Sequence, residues 1–327
     1  MKYLFYPGCS LHSTSGAYLD SLRAIEEKLA VEFEEVGDWN CCGANEYLSL
    51  HRIPSYALVA RNLALAEQQV NGTRTLVAAC SACYLNLAKT EKYMRTDRAL
   101  DARINDALAA GGMHYTPGSV QVRHILDLIY NDLGVCKLKK LVSRPLEGLK
   151  VAAYYGCMVI RPDPDKRLRD PENPTALEEL IQATGAEAID FPLRTHCCSG
   201  HMPQIDAQVS FELIRNLVAA AVKCGADLLV TTCPLCQLNI DAYQDQVNKE
   251  YGMDYQMPIL FFTQLLGLAF GLDARDLGIG KEIVSAAPAL AKIGVKAEPV
   301  TPELRKRPPK AEGLPMPAMP KAFGDDL

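Results

Sequence analysis

Short apolar runs and amphipathic stretches alternate along the first 275 positions. The runs at 3–6 and 151–155 stop at Gly-Cys and read as strands ending in a loop. Those at 75–79 and 227–232 each end at a C-x-x-C. Positions 52–69 and 206–223 carry a helical period; in the second, Val209, Leu213, Ile214, Leu217, Val218 and Ala221 share one face. Strands alternating with helices predict an α/β chain with a small parallel sheet in each half, and such sheets place ligands at the carboxyl ends of their strands. The longest apolar stretch, 258–272, is interrupted by Thr263 and Gln264 and is shorter than the roughly 20 residues that span a bilayer. It reads as a packed helix. Positions 276–327, rich in Ala, Pro and Lys, read as an extended tail, disordered alone or ordered on a docking partner.

The pattern is used twice. Cys9, the pair Cys41-Cys42 and Cys80-Ser81-Ala82-Cys83 are followed by Cys157, Cys197-Cys198 and Cys233-Pro234-Leu235-Cys236. The first cysteine precedes the pair by 32 positions in one set and 40 in the other, and the C-x-x-C follows it by 38 and 35. Neighbouring residues match as well: Tyr6-Pro7-Gly8-Cys9 with Tyr154-Tyr155-Gly156-Cys157, Arg61-Asn62-Leu63 with Arg215-Asn216-Leu217, and Cys83-Tyr84-Leu85-Asn86 with Cys236-Gln237-Leu238-Asn239. Arg123-His124-Ile125-Leu126 has an echo in Thr263-Gln264-Leu265-Leu266, which places His124 in a repeated helix. One unit is duplicated: 1–148, then 149–275, then the tail.

Composition narrows the chemistry. A net charge of -5 without a long basic run argues against nucleic acid as a partner. The N-terminus lacks a signal-peptide pattern, so the expected location is the cytoplasm. Twelve cysteines there point to metal or redox chemistry, because disulfides seldom persist in that compartment. Structural zinc takes four ligands, usually from two short knuckles, whereas each half offers five, two of them adjacent. Adjacent thiolates diverge, which suits a polynuclear cluster better than one ion. A thioredoxin-like C-x-x-C leaves three cysteines of each set unexplained. Five thiolates also exceed the four of a simple cubane, so one is spare or the cluster is of another kind.

The doubled pattern, with Trp39-Asn40-Cys41-Cys42-Gly43 and the Tyr-Gly-Cys of the second half, resembles the cysteine-rich CCG domain, and its two-copy arrangement resembles the B subunit of heterodisulfide reductase. The resemblance covers about 1–275. It implies two pseudo-symmetric domains and two non-cubane [4Fe-4S] clusters held by Cys9, Cys41, Cys42, Cys80 and Cys83 and by Cys157, Cys197, Cys198, Cys233 and Cys236. It implies a disulfide, the coenzyme M–coenzyme B heterodisulfide or a relative of it, split between the clusters. Electrons are implied to come from a ferredoxin-like iron–sulfur subunit fed by a flavin-containing one. An alternative is an electron-relay subunit of a bacterial complex with a different terminal substrate. The sequence departs from the family at Ser199, where the motif's glycine is expected, and at Met158, where a histidine is.

His196 and His201 flank the second pair and are the candidate proton donors to a thiolate product. His12 is a weaker candidate. Arg161 and Arg194 are possible clamps for a phosphate or sulfonate, with solvated arginine the simpler reading. Arg61 and Arg215 read as structural, and Asn86 and Asn239 as hydrogen-bonding residues behind each C-x-x-C. Cys136 and Cys224, outside both sets, read as buried apolar residues. The chain shows no flavin, nicotinamide or phosphate-loop fingerprint, so its electrons are expected from another protein.

Overall fold

The structure is a computed structural model, and it describes residues 1–44, 47, 50–70, 73–160, 168 and 170–300. The first half runs β1 (Lys2–Tyr6), α1 (Gly8–Leu11), α2 (Gly16–Leu29), β2 (Glu32–Glu35), α3 (Arg52–Gln68), β3 (Thr75–Ala78), α4 (Ser81–Thr96), α5 (Arg98–Ala109), β4 (Gln121–His124), α6 (Ile125–Asp127) and α7 (Val135–Leu141). The second runs β5 (Lys150–Tyr154), α8 (Ala176–Ala183), β6 (Glu187–Ile189), α9 (Ala207–Lys223), β7 (Leu228–Thr231), α10 (Pro234–Ala242), α11 (Gln244–Tyr251), β8 (Ile259–Phe261), α12 (Phe262–Ala269) and α13 (Ala287–Ala291). Each half forms a four-stranded sheet, in the orders β2-β1-β3-β4 and β6-β5-β7-β8, and every pairing is parallel.

Parallel sheets covered on both faces need strands apolar on both sides. β1 and β7 satisfy this: Leu4, Phe5 and Tyr6, and Leu228, Leu229 and Val230, are all buried. Strand alternation sends their side chains to different layers. Leu228 and Val230 join a core shared with Leu4, Tyr18 and Val77 of the first half, while Leu229 packs with Tyr154, Phe191 and Leu217 on the outer face of the second sheet. Each such buried Leu or Phe contributes about 2 kcal/mol. At the junction, Tyr18 stacks on Phe261 with ring centroids 4.2 Å apart, and the Ser21 and Thr263 hydroxyls hydrogen-bond at 2.6 Å.

Three sequence expectations are corrected here. The stretch 258–272 is a strand, β8, running into a helix, α12: the backbone of Ile259–Phe261 pairs with β7, and the Gln264 side chain accepts the Phe261 N–H at 2.8 Å, capping α12. Likewise 121–124 is strand β4, which places His124 opposite Ala78 as Phe261 is opposite Thr231. His124 therefore matches Phe261, and the echo with Gln264 was out of register by three. Thirdly, the early part of the tail is packed. Leu277, Ile279, Ala286 and Leu290 are buried in the shared core. Asp241 accepts the Ile283 and Val284 N–H groups at 2.9 and 2.8 Å, and Lys281 pairs with Asp20 at 2.6 Å. Residues 301–327 lie outside the described residues. Among the described residues no helix is long and apolar enough to cross a membrane.

Candidate functional site

The ten paired-set cysteines all follow carboxyl ends of strands: Cys9 after β1, Cys41 and Cys42 after β2, Cys80 and Cys83 after β3, and their counterparts after β5, β6 and β7. The chain reverses the direction of sheet growth between β1 and β3, which opens a crevice at those ends. In the first half the Cys9 and Cys41 sulfurs lie 3.6 Å apart and those of Cys42 and Cys83 3.5 Å apart. Both exceed the roughly 2.05 Å of a disulfide. Cys9 and Cys41 face solvent, Cys157 and Cys197 are half-buried, and the other six are buried. Cys80 and Cys233, from opposite halves, lie close enough for each thiol to shift the other, Cys80 upward and Cys233 downward, so the two sets meet at the interface.

Three devices hold each loop, and they are the same in both halves. The residue before the first cysteine is a left-handed glycine, Gly8 (φ +70°) or Gly156 (φ +67°), and a Cβ there would stand 2.7 Å from the Cys83 sulfur or 2.9 Å from that of Cys236. A buried tyrosine ties the pair: Tyr6 Oη donates to Asn40 O at 2.7 Å and Tyr154 Oη to His196 O at 2.8 Å. Burial, reinforced by the surrounding thiols, raises both phenols, which therefore stay protonated donors. Finally Asn86 Nδ2 donates to the Cys42 and Ala44 carbonyls, and Asn239 Nδ2 to those of Cys198 and Gly200.

The second half departs in one detail. Ser199 takes the left-handed conformation (φ 76°) that Gly43 (φ +74°) takes in the first. For a residue with a Cβ that conformation costs about 1–2 kcal/mol. The Ser199 hydroxyl offsets it with a 2.7 Å hydrogen bond to the Ser210 hydroxyl and a 3.3 Å bond from Asn239.

Beside the second set lies a small cavity, lined by its five cysteines together with Ser81, Tyr155, Met158, Gly200 and Leu235. The thiols of the first set converge in pairs, Cys9 with Cys41 at the surface and Cys42 with Cys83 inside. Hydrogen bonds from Cys41 and Cys83, with backbone and Asn86 donors, pull Cys42 down to about 3. Contact with Cys198 and Cys233, together with burial, pushes Cys236 up. Among the described residues no three His, Cys, Asp or Glu side chains close around a single point. An all-sulfur set spread over pairs, with a glycine cradle keeping the sulfurs clear of backbone, fits a group larger than one ion.

The profile of the cysteine-rich CCG domain matches residues 3–88 and 151–241. The chain belongs to the CCG family. This CCG chain is 33% identical over 285 residues to the 8-methylmenaquinol:fumarate reductase membrane anchor subunit of Wolinella succinogenes (87% of this chain, 98% of that one). It is also 33% identical over 295 residues to the B subunit of the ferredoxin/F420H2-dependent CoB-CoM heterodisulfide reductase of Methanosarcina acetivorans (89% and 97%). A solved structure of a hypothetical protein from Helicobacter pylori shares the fold, with TM-score 0.69 and 15% identity over 87% of this chain and 52% of that one.

The remaining sequence candidates fall elsewhere. His196 is exposed and His201 half-buried, and neither lines the cavity. His12 stacks on Trp39 and pairs with Glu35 at 3.1 Å. The Arg194 guanidinium is held by Glu178, Asp190 and the Phe191 carbonyl, so it is committed to structure. Arg161 lies outside the described residues. Arg61 binds Asp38 and Asn40, and Arg215 lies over the Tyr251 ring. Cys136 is exposed, against expectation, because α7 turns Leu138 inward and leaves Cys136 on its outer side. Cys224 is half-buried at the end of α9. Sequence reasoning missed Tyr6, Tyr154 and Ser81; the paired tyrosines were visible in the repeat, and Ser81 carried no signal beyond its place in the C-x-x-C.

Proposed function

We propose that this chain is an iron–sulfur oxidoreductase subunit of the heterodisulfide reductase type, with one non-cubane [4Fe-4S] cluster held by each five-cysteine set and a disulfide reduced between them. The observation that carries the reading is the contact of Cys80 with Cys233, which sets the two cysteine sets side by side at one interface. Cleaving a disulfide takes two electrons; two adjacent one-electron centres held by the two cysteine sets would supply them, and their iron would offer the thiolates a Lewis acid.

The chain's own part is positional. Gly8 and Gly156 clear space for sulfur, Tyr6 and Tyr154 fix the paired cysteines, and Asn86 and Asn239 hold the loops after them. Orientation of the bond between two fixed groups supplies a proximity term. In this reading His196 and His201, beside the second pair but outside the cavity lining, would pass protons inward from solvent. The electrons come, in this reading, from a ferredoxin-like iron–sulfur subunit and behind it a flavin-containing one, in the cytoplasm. The heterodisulfide in the Methanosarcina relative's name makes it the first substrate to try.

A second reading is a relay subunit whose terminal reaction lies in a partner. It is favoured by the equal likeness to a subunit of a menaquinol:fumarate reductase. The experiment is iron and acid-labile sulfide analysis of anaerobically purified protein, with paramagnetic resonance before and after adding coenzyme M–coenzyme B heterodisulfide. About eight irons per chain and a new substrate-dependent signal support disulfide cleavage. The same iron without a response moves the choice to the relay, and stoichiometric zinc overturns both.

A further inference from the structure

A second cleft opens at the junction of the two halves, apart from the cysteines. The stretch 13–17 of the first half forms one wall, Gln237, Ile259 and Phe261 of the second half another, and Lys281 and Glu282 of the segment that follows a third. It shares no lining residue with the cavity beside the second set.

The first wall is a helix start without a cap. α2 has 14 residues, and its N-cap, Ser15, makes no side-chain capping bond. The Ser15 hydroxyl is buried and has no partner among the described residues. Ser15 O accepts the Tyr18 N–H at 2.9 Å, but among the described residues no acceptor meets the N–H groups of Gly16 and Ala17, which line the cleft. The first turn carries no acidic residue. Such an end holds partial positive charge and favours an anion. Lys281 adds a full charge beside it, because its Nζ is held 2.6 Å from Asp20, one turn into α2.

The second wall is an acceptor. Gln237 is 8% exposed, and its Nε2 donates to Asp241 Oδ2 at 3.0 Å. Asp241 also accepts the Ile283 and Val284 N–H groups, so it serves as acceptor throughout and fixes the amide with its nitrogen inward. Gln237 Oε1 has no partner among the described residues and is not one of the sealed polar atoms, so it opens on the cleft that Gln237 lines. Glu282 stands at this end, next to Ile283; its carboxylate accepts the Gly280 and Ala286 N–H groups at 2.7 and 3.1 Å. Ile259 and Phe261 supply apolar surface.

We propose that this cleft binds a small apolar α-amino acid, its carboxylate on the first turn of α2 and Lys281, its ammonium on Gln237 Oε1 and Glu282, and its side chain on Ile259 and Phe261. A plain anion would satisfy the helix end but leave Gln237 Oε1 unpaired and lie near the Glu282 charge; a plain cation would do the reverse. A molecule with both groups on one carbon meets both needs. The walls belong to different halves, so the bound molecule ties them together. It does so behind one loop of each cysteine set: Ser13 Oγ donates to Cys9 O at 2.8 Å, and Gln237 follows Cys236. Nothing in this depends on what the cysteines hold.

The test is calorimetric titration and thermal unfolding of the full chain, purified anaerobically, with L-leucine, with isocaproate, which lacks its amine, and with isopentylamine, which lacks its carboxylate. A single L-leucine site is expected, with an unfolding midpoint that rises with concentration. Each partial analogue should bind about tenfold more weakly or worse, for the loss of one charged hydrogen-bonding group. Lys281→Met should weaken L-leucine and isocaproate and spare isopentylamine. Gln237→Met should weaken L-leucine and isopentylamine and spare isocaproate. Should Gln237→Met fail to fold, Lys281→Met, which lies at the surface, decides. Isocaproate or inorganic phosphate binding as tightly as L-leucine would mark a plain anion site and overturn the proposal, as would L-leucine binding that ignores both substitutions. Neither heat nor a shifted midpoint with L-leucine or L-valine overturns it outright.

Discussion

The Cβ of any residue other than glycine at position 8 would stand 2.7 Å from the sulfur of Cys83. Gly8 also holds φ at +70°, where a side chain is strained. Neither the backbone of the loop nor a buried thiol at the start of α4 can yield cheaply. Gly8→Ala is expected to lose the metal of the first set and to keep that of the second, with Gly156→Ala giving the converse. Iron per chain should fall to about half in each, as expected for one of two four-iron groups. Full iron in both variants would show that the cradle is not needed.

The cysteines themselves divide into two classes. Cys80→Ser and Cys233→Ser each remove a buried member of a set and should cost iron. Cys136, exposed on α7, and Cys224, at the end of α9, belong to neither set. Cys136→Ser and Cys224→Ser should retain full iron and the absorption spectrum of the unaltered chain.

Ser199 poses a problem of local energetics. Ser199→Gly relieves the left-handed strain but removes the bonds to Ser210 and Asn239, and the two effects should nearly cancel, within about 1 kcal/mol. Ser199→Ala keeps the strain and also leaves the buried Ser210 hydroxyl without that partner, so it should destabilise by about 2 kcal/mol. Denaturant unfolding checks the order, and an alanine variant more stable than the glycine one would contradict it.

His124 imposes a pH dependence. Its folded pKa is depressed by burial from 6.5 to about 4, so below 6.5 the unfolded chain takes up a proton that the folded chain refuses. The stability associated with this group is complete above 6.5 and is lost as pH falls toward 4, a swing of roughly 3 kcal/mol. The stability of His124→Gln, measured against the unaltered chain from pH 7 to pH 4, should fall less by about that amount. Parallel curves would mean the ring already titrates in the folded state.

Periodic and punctuated features were legible in the sequence. Strand runs stopping at Gly-Cys placed β1 and β5 within a residue, and the doubled cysteine spacing placed both sets at the strand ends. The stretch 258–272 was apolar on every side, so its period could not separate strand from helix; only pairing with β7 decides it. The match of His124 to Gln264 followed letters, whereas strand register follows backbone bonds. Residues 276–300 looked like tail because their apolar positions are sparse, yet Leu277, Ile279 and Leu290 each insert into the core. Ser81 and His124 are 43 positions apart, and their meeting depends on the sheet bringing β4 beside β3.

The division of the thiols between surface and interior has a bearing on how the protein comes to be loaded. Cys9 and Cys41 stand at the rim of the first crevice, while Cys42, Cys80 and Cys83 form its floor, and Cys80 is pressed against the floor of the other. Metal arriving after the halves have docked meets the rim sulfurs first and reaches the floor only by passing them. In the iron–sulfur reading, filling both floors therefore calls either for loading before the two halves close on each other or for passage inward from the rim, ligand by ligand.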